Sequence, residues 1–252
     1  MDWSDEGIIL STRSHGETNA IVEVLTRAHG RHLGLVRGGR SRRQRPTLQP
    51  GNVVKAQWRA RLAEHLGNYT LEMLEARAAL ALDDATALAG LSTLCALARL
   101  LPEREPHSAL HDTARLVLDH ISEPDIWPGL LVRWEMGLLE ELGFGLDLSA
   151  CAKTGQRREL IYVSPKSGRA VSREAGTPYA NKLLALPAFL SPNGGTELTP
   201  EDVMDGFALT GRFLELNVFG PRGLTMPEAR GRLLVRLARE INSPLRNRGG
   251  RA

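Results

Sequence analysis

From Arg27 through Arg61 the chain carries ten Lys or Arg and no Asp or Glu. The ten are Arg27, Arg31, Arg37, Arg40, Arg42, Arg43, Arg45, Lys55, Arg59 and Arg61, and five of them crowd into Arg-Gly-Gly-Arg-Ser-Arg-Arg-Gln-Arg at 37–45. A guanidinium fans five donors toward phosphate oxygens, and neighbouring glycines let the backbone approach closely. The chemistry on offer is neutralisation of a polyanion; engaging about 5 phosphates would give a logarithmic salt slope of about −4 to −5 on a duplex. A solvated basic loop without a partner is the alternative. Only three aromatics, Trp3, Trp58 and Tyr69, lie in residues 1–78, and the latter two alternate with core positions. Base stacking needs exposed rings, so the expectation is phosphate tracking with little sequence preference, on single and double strands alike.

A second cationic set, Arg232, Arg236 and Arg239, shares one side of the last predicted helix, opposite Leu233, Leu234, Leu237 and Ile241. Arg246, Arg248 and Arg251 carry the charge into a Gly-rich tail, while Arg230 falls on the apolar side. An ordinary solvated helix face explains the stripe as well as DNA contact does. Arg133, beside Leu130 and Trp134, is one cation among apolar side chains, a combination suited to an acidic, hydrophobic peptide terminus. An ion pair with Glu140 or Asp119 is the plainer account.

Metal and catalytic chemistry find little support. Cys151-Ala152-Lys153-Thr154 outlines half a C-x-x-C with Thr154 where the second sulfur belongs, and His107/His111 share a helix face without further ligands. A closed zinc site needs four donors. There is no nucleophile elbow, phosphate-binding loop or His-Glu-x-x-His, and Glu140 and Glu141, adjacent on a helix, point apart. No metal, cofactor or catalytic residue is assigned; the chain reads as a binding protein rather than an enzyme.

The elements that must position these groups change type along the chain. Residues 7–13, 20–26, 32–36, 53–62 and 68–74 read as five short strands, the clearest with Val54, Ala56, Trp58, Ala60 and Leu62 on one face and Lys55, Gln57, Arg59 and Arg61 on the other. Tyr69, Leu71 and Met73 alternate likewise. Five strands in so short a span predict a small closed barrel, of OB or SH3-like type, and the strand number leans to OB. After Ala76 the period becomes helical. Apolar stripes run over Leu88–Leu101, Leu110–Ile121 and Trp127–Leu142. Residues 149–177 interrupt the pattern as an insertion with a strand at 160–163, and helices resume near 178–186. The next helix starts at Thr199, an N-cap with Pro200 at N1 and Val203, Phe207, Thr210, Leu214 and Val218 inside. Thr225-Met226-Pro227-Glu228 has capping-box spacing for the last helix. The predicted class is α+β: an OB-type barrel over 1–78, then a mostly helical domain over 79–252 interrupted by 149–177.

Charge follows the same division. The 252 residues sum to +3. Residues 1–79 hold 12 cations against 8 acids, 80–150 hold 4 against 12, and 151–252 hold 16 against 9. Two cysteines, Cys95 and Cys151, exclude a disulfide framework, and the acidic start and lack of a long apolar run argue for a cytoplasmic protein with no membrane role.

Glu6-Gly7-Ile8-Ile9-Leu10, Gly16-Glu17-Thr18-Asn19, Val36-Arg37-Gly38-Gly39-Arg40 and Leu48-Gln49-Pro50-Gly51 together resemble the bacterial recombination mediators of the RecO family. So do Leu131-Val132-Arg133-Trp134-Glu135, Leu142-Gly143-Phe144-Gly145 with Cys151, and the run from Val163 to Ser172. The resemblance spans nearly the whole chain. It implies an N-terminal OB fold and a helical C-terminal domain. It further implies binding and annealing of DNA strands and, with RecR, loading of RecA onto DNA coated by single-strand-binding protein, in a nucleoid-associated setting. It implies that Arg31, Arg37, Arg40, Arg42, Arg43, Arg45, Lys55, Arg59 and Arg61 meet DNA, and that Arg133, Leu130 and Trp134 meet the acidic tail of single-strand-binding protein. Some members bind zinc through four cysteines. Only Cys151 remains here, with Thr154, Ser164 and Ser172 near the other positions, so this module is expected to fold without metal around its Ile161/Val163 strand. An OB-fold RNA- or ribosome-binding factor, or an adaptor for an acidic protein, uses the same barrel chemistry.

Overall fold

The computed structural model describes residues 1–62, 64–192, 194–195 and 197–242. Two compact units divide the chain, residues 1–127 and 128–252.

The first unit opens with β1 (Asp2–His15), β2 (Asn19–Thr26), β3 (Gly30–Val36), β4 (Val53–Arg59) and β5 (Asn68–Glu75), closed into a barrel in the order β1-β2-β3-β5-β4. That is the expected OB-type barrel. β1 runs antiparallel to both β2 and β4, and a single parallel pair, Leu35–Asn68, closes the ring between β3 and β5. Period-two alternation points Ile9, Val22, Val24, Val54, Ala56, Trp58, Tyr69 and Leu71 into one core. β4 ends at Arg59, where its neighbours Asp2 and Asn68 also end, so Leu62 lies outside the strand and is exposed. Met73 pairs with Val54 beside a register shift at the end of the β4–β5 ladder and is exposed, against the simple alternation of β5.

Helices α1 (Arg77–Leu80), α2 (Ala85–Ala98) and α3 (Ser108–Asp119) belong to the same compact unit as the barrel. Asp84 caps α2 by accepting from the backbone N–H of Thr86 and Ala87. The segment between α2 and α3 lies against β3: Arg104 N–H donates to the Arg31 carbonyl at 2.8 Å. Gly30, at φ +64°, is required there, because a Cβ would sit 1.9 Å from the Glu105 carbonyl oxygen.

The second unit carries most of α4 (Trp127–Glu141), then a three-stranded sheet of β6 (Leu160–Val163), β7 (Ala170–Ser172) and β8 (Leu184–Ala185) in the order β7-β6-β8. The short helix α5 (Arg173–Gly176) follows β7. The helix expected near 178–186 is instead a 3₁₀ turn over Thr177–Lys182 followed by β8, whose pairing with β6 makes the sheet. In β6, Leu160 and Val163 are buried while Ile161 sits at a register shift, half-exposed. α6 (Pro200–Leu214) begins as expected: Thr199 Oγ1 accepts from Asp202 N–H at 3.0 Å. Val203, Phe207, Thr210, Leu214 and Val218 are all buried.

α7 (Glu228–Ile241) starts later than the capping-box spacing implied, with Pro227 ahead of it and no side-chain cap. Proline disfavours α geometry in the preceding residue, so Met226 stays out of the helix and Thr225 cannot cap it. Leu233 and Leu237 are buried; Leu234 and Ile241 are half-buried. Arg230 is inside, 4% exposed, and binds the fully buried Glu135 of α4 through Nε and Nη2, both at 2.9 Å. Among the described residues no helix is long and apolar enough to cross a membrane.

Candidate nucleic-acid interface

The arginine-rich segment between β3 and β4 is a built series of turns. Ser41 accepts from the backbone N–H of Gln44 and Arg45, and Gln44 from that of Leu48. Leu48 is 3% exposed and anchors the segment in the barrel core, while its carbonyl accepts from Thr12 Oγ1 at 2.7 Å. Asn52 Nδ2 holds the Pro46 carbonyl at 2.7 Å. At the other end Gly38 N–H donates to Asn19 Oδ1, and Arg40 Nη1 donates to the carbonyls of Gly16 and Glu17 at 3.0 and 2.8 Å. Arg40 therefore ties the loop to the β1–β2 turn while remaining exposed.

Arg37, Arg42, Arg43 and Arg45 are exposed, and among the described residues their side chains have no hydrogen bond or ion pair. Next to them lies an open groove of about 500 Å³ lined by Arg37, Gln44, Arg59, Asn68, Tyr69 and Thr70. A second cleft shares Arg59, Asn68 and Thr70 and reaches Trp3 and Gln57. Arg59 and the uncharged polar groups Gln44, Gln57, Asn68 and Thr70 thus join the arginine loop to the start of β1. The outward positions of β4 and β5 signalled this polar strip in the sequence; Gln44 had no such signal.

Three expected or nearby cations stand differently. Arg31 is largely buried, ion-paired with Glu23 and Glu103, and donates from Nε to the Leu101 carbonyl at 2.7 Å. It holds the first unit together and is not free for phosphate. Arg27 makes a two-pronged bond to Asp112, with both Nε–Oδ1 and Nη2–Oδ2 at 3.0 Å. Lys55 is exposed, but the register sets Glu6 on one neighbouring strand and Glu72 on the other directly opposite it. The stretch free of acids in sequence is not free of acids in space. Arg59 and Arg61 are exposed, with Asp2 in register beside Arg59.

On α7, Arg232, Arg236 and Arg239 are exposed, and Arg232 pairs with Glu228 one turn away at 3.3 Å. Arg246, Arg248 and Arg251 lie outside the described residues.

Two family descriptions match the chain: "Recombination protein O N terminal" over residues 1–77 and "Recombination protein O C terminal" over 82–225. A protein of Mesorhizobium japonicum named DNA repair protein RecO is 56% identical over 237 residues, covering 94% of this chain and 94% of that protein. Namesakes from Afipia carboxidovorans and Brucella abortus are 57% and 52% identical, each over 242 residues and at least 95% of both chains. The chain belongs to the RecO family. Membership brings a role in DNA repair and recombination.

Two further sites raised by the resemblance to RecO can be read in the second unit. Arg133 is exposed; its guanidinium lies 5.7 Å from the Phe189 ring centroid and donates to the Phe189 carbonyl. The bond goes to that carbonyl, not to the carboxylate of the plainer account. Leu130 beside it is half-buried, whereas Trp134 is 0% exposed and offers no surface to a partner.

At the insertion lies Cys151, 1% exposed, whose sulfur accepts from Ser172 N–H at 3.3 Å and Ser172 Oγ at 3.4 Å. Burial pushes this thiol up, but hydrogen bonds from Ser172 and Thr154, through side chain and backbone alike, win and pull it down to about 6. Ser164 is elsewhere, its Oγ accepting from Ser167 N–H in the β6–β7 turn. One sulfur and two hydroxyls do not make a zinc donor set. Among the described residues no group of three or more His, Cys, Asp or Glu is placed to hold a metal ion.

Proposed function

We propose that this RecO-family chain is a non-enzymatic recombination mediator that binds DNA along the barrel and brings complementary strands together. The observation that carries the reading is the anchored loop presenting Arg37, Arg42, Arg43 and Arg45 unpaired, beside the groove continued by Arg59. Two strands repel one another through their phosphates, and about four guanidinium contacts would release counterions with a slope of about −3.6 on duplex DNA and about −2.8 on a single strand. Arg40 and Arg61 flank the track, and Arg232, Arg236 and Arg239 offer a second basic surface for another strand. The barrel, residues 1–78, is the DNA-binding part.

The finer steps rest on the family: loading of RecA together with RecR on DNA coated by single-strand-binding protein. Arg133, with Leu130 beside it, is the proposed contact for that protein's acidic tail, because an exposed guanidinium over an aromatic ring suits a carboxylate with an apolar neighbour.

Annealing of complementary oligonucleotides precoated with single-strand-binding protein, with and without its acidic tail, tests the proposal. Acceleration that depends on the tail is expected. No acceleration in either arm overturns the mediator reading.

A further inference from the structure

The aromatic side chains of the barrel, few in sequence, gather at one place. Trp3 of β1 stacks on His29 with centroids 4.2 Å apart and planes 9° apart, and lies nearly parallel to Trp58 at 5.8 Å and 17°. His32 meets the edge of Trp58 at 4.6 Å, and Tyr69 completes the floor. Trp58, His32 and Tyr69 are buried, whereas Trp3 and His29 are half-exposed. Trp3 packs against the barrel core yet stays half-exposed, with an open cleft on each flank. One cleft of about 610 Å³ holds Trp3, Gln57, Arg59 and Asn68; the other, about 450 Å³, holds Trp3, His29, His32 and Arg104.

The parts around the rings fix their orientation. Asp5 Oδ2 sits 3.4 Å from His29 Nδ1 and accepts from Ala28 N–H at 2.8 Å, which sets the imidazole parallel to Trp3. Trp58 Nε1 donates to the Leu66 carbonyl at 3.0 Å, under a loop that closes only because Gly67, at φ +67°, has no Cβ to strike the indole. Arg104, itself in the left-handed region at φ +64°, donates from Nη2 to the carbonyls of Glu64 and His65 in that loop, while its buried Nε has no hydrogen-bond partner among the described residues.

We propose that the Trp3–His29 pair is a stacking site for an unpaired base of single-stranded DNA. The inference rests on the reading that the barrel binds DNA. It adds that the two ends of the track do different work: phosphates at the arginine loop, bases at Trp3. Asp2 lines both clefts beside Trp3, facing Arg59 in one and Arg104 in the other, so neither cleft is a purely cationic phosphate seat; a neutral base there meets the half-exposed Trp3–His29 pair and, in the first cleft, the uncharged Gln57 and Asn68. A duplex keeps its bases stacked on each other and cannot use the site.

The test measures binding of the full chain to a single-stranded oligonucleotide, the same length of abasic backbone, and a duplex, at one salt concentration. Wild type is expected to bind the base-bearing strand about ten-fold tighter than the abasic one, the size of one or two stacked bases. His29→Ala and Trp3→Ala should lose that preference with duplex affinity and salt slope unchanged, and Trp3→Phe should keep most of it. Equal wild-type affinity for abasic and base-bearing strands overturns the proposal, as does a preference that survives both alanine variants. Failure of the underlying reading is a separate result: charge reversal at Arg42 and Arg43 would then leave duplex affinity untouched.

Discussion

Arg31 closes its guanidinium on the carboxylate of Glu23, a residue 3% exposed whose other oxygen accepts from Arg99 Nε at 2.7 Å and Ser11 Oγ at 2.9 Å. Burial would raise the Glu23 carboxyl, but the bonds from Arg31, Ser11 and Arg99 hold it below its usual 4.5. Depressed in the folded state, this carboxylate stabilises fully above about pH 4.5, and the contribution is lost as pH falls through the lower folded value. Glu23→Gln should therefore flatten the acid limb of the stability curve in denaturant titrations. Arg31→Ala should cost about 3–5 kcal/mol, because it leaves a buried charge short of a partner. A variant as stable as wild type would free Arg31 for DNA after all.

Phosphate binding is expected to divide the cations by their neighbours. Arg42→Glu and Arg43→Glu should each weaken DNA binding across sequences and reduce the salt slope by about 1. Lys55→Ala should change affinity less than two-fold, since Glu6 and Glu72 stand in register with Lys55 on the two adjoining strands and offset its charge. Fluorescence anisotropy against salt concentration reads both quantities; a Lys55 effect as large as that of Arg42 would count against the register argument.

Much of the barrel was legible because each strand states its own inner face: Val54, Ala56 and Trp58 alternate with Lys55, Gln57 and Arg59, and all three of the former are buried. What could not be read along the chain is what the strands bring side by side. Glu6 and Glu72 reach Lys55 only through the sheet, Glu103 reaches Arg31 only through the segment docked on β3, and Trp3 reaches His29 only where β1 runs past the β2–β3 turn. The same holds for Arg230, whose place on the apolar side was visible while its partner Glu135, 95 residues away, was not. Periodicity reports a residue's face. The neighbours on that face are set by tertiary pairing, which a local pattern does not contain.

At the proposed peptide site, Arg133→Glu should abolish capture of an acidic C-terminal peptide without moving the melting temperature, because the side chain is exposed and, among the described residues, hydrogen-bonds the Phe189 carbonyl alone. Trp134→Ala should do the reverse. A fully buried tryptophan truncated to alanine costs about 3–5 kcal/mol, and any loss of peptide binding would follow the loss of fold. Calorimetric titration beside thermal melts separates the two; a Trp134 variant that melts normally would contradict its place in the core.

The cysteines offer the sharpest pH prediction. Cys95 is buried where its thiol is pushed up to about 12, so it stays protonated throughout the neutral range. Cys151 is drawn down to about 6 by Ser172 and Thr154 overcoming burial. Thiolate absorbance of the native protein should rise with a midpoint near pH 6, and Cys151→Ser should remove the step. Because the folded value lies below the ordinary 9, the thiolate's contribution to stability is complete above about pH 9 and lost as pH falls through 6. Ser172→Ala removes a donor and should shift the midpoint upward. Alkylating reagents should nonetheless react slowly until the module opens, since the sulfur is 1% exposed. Zinc bound in stoichiometric amount, or a thiolate midpoint near 9, would mean that a metal or a neutral thiol rather than this hydrogen-bonded sulfur organises the β6–β7 module.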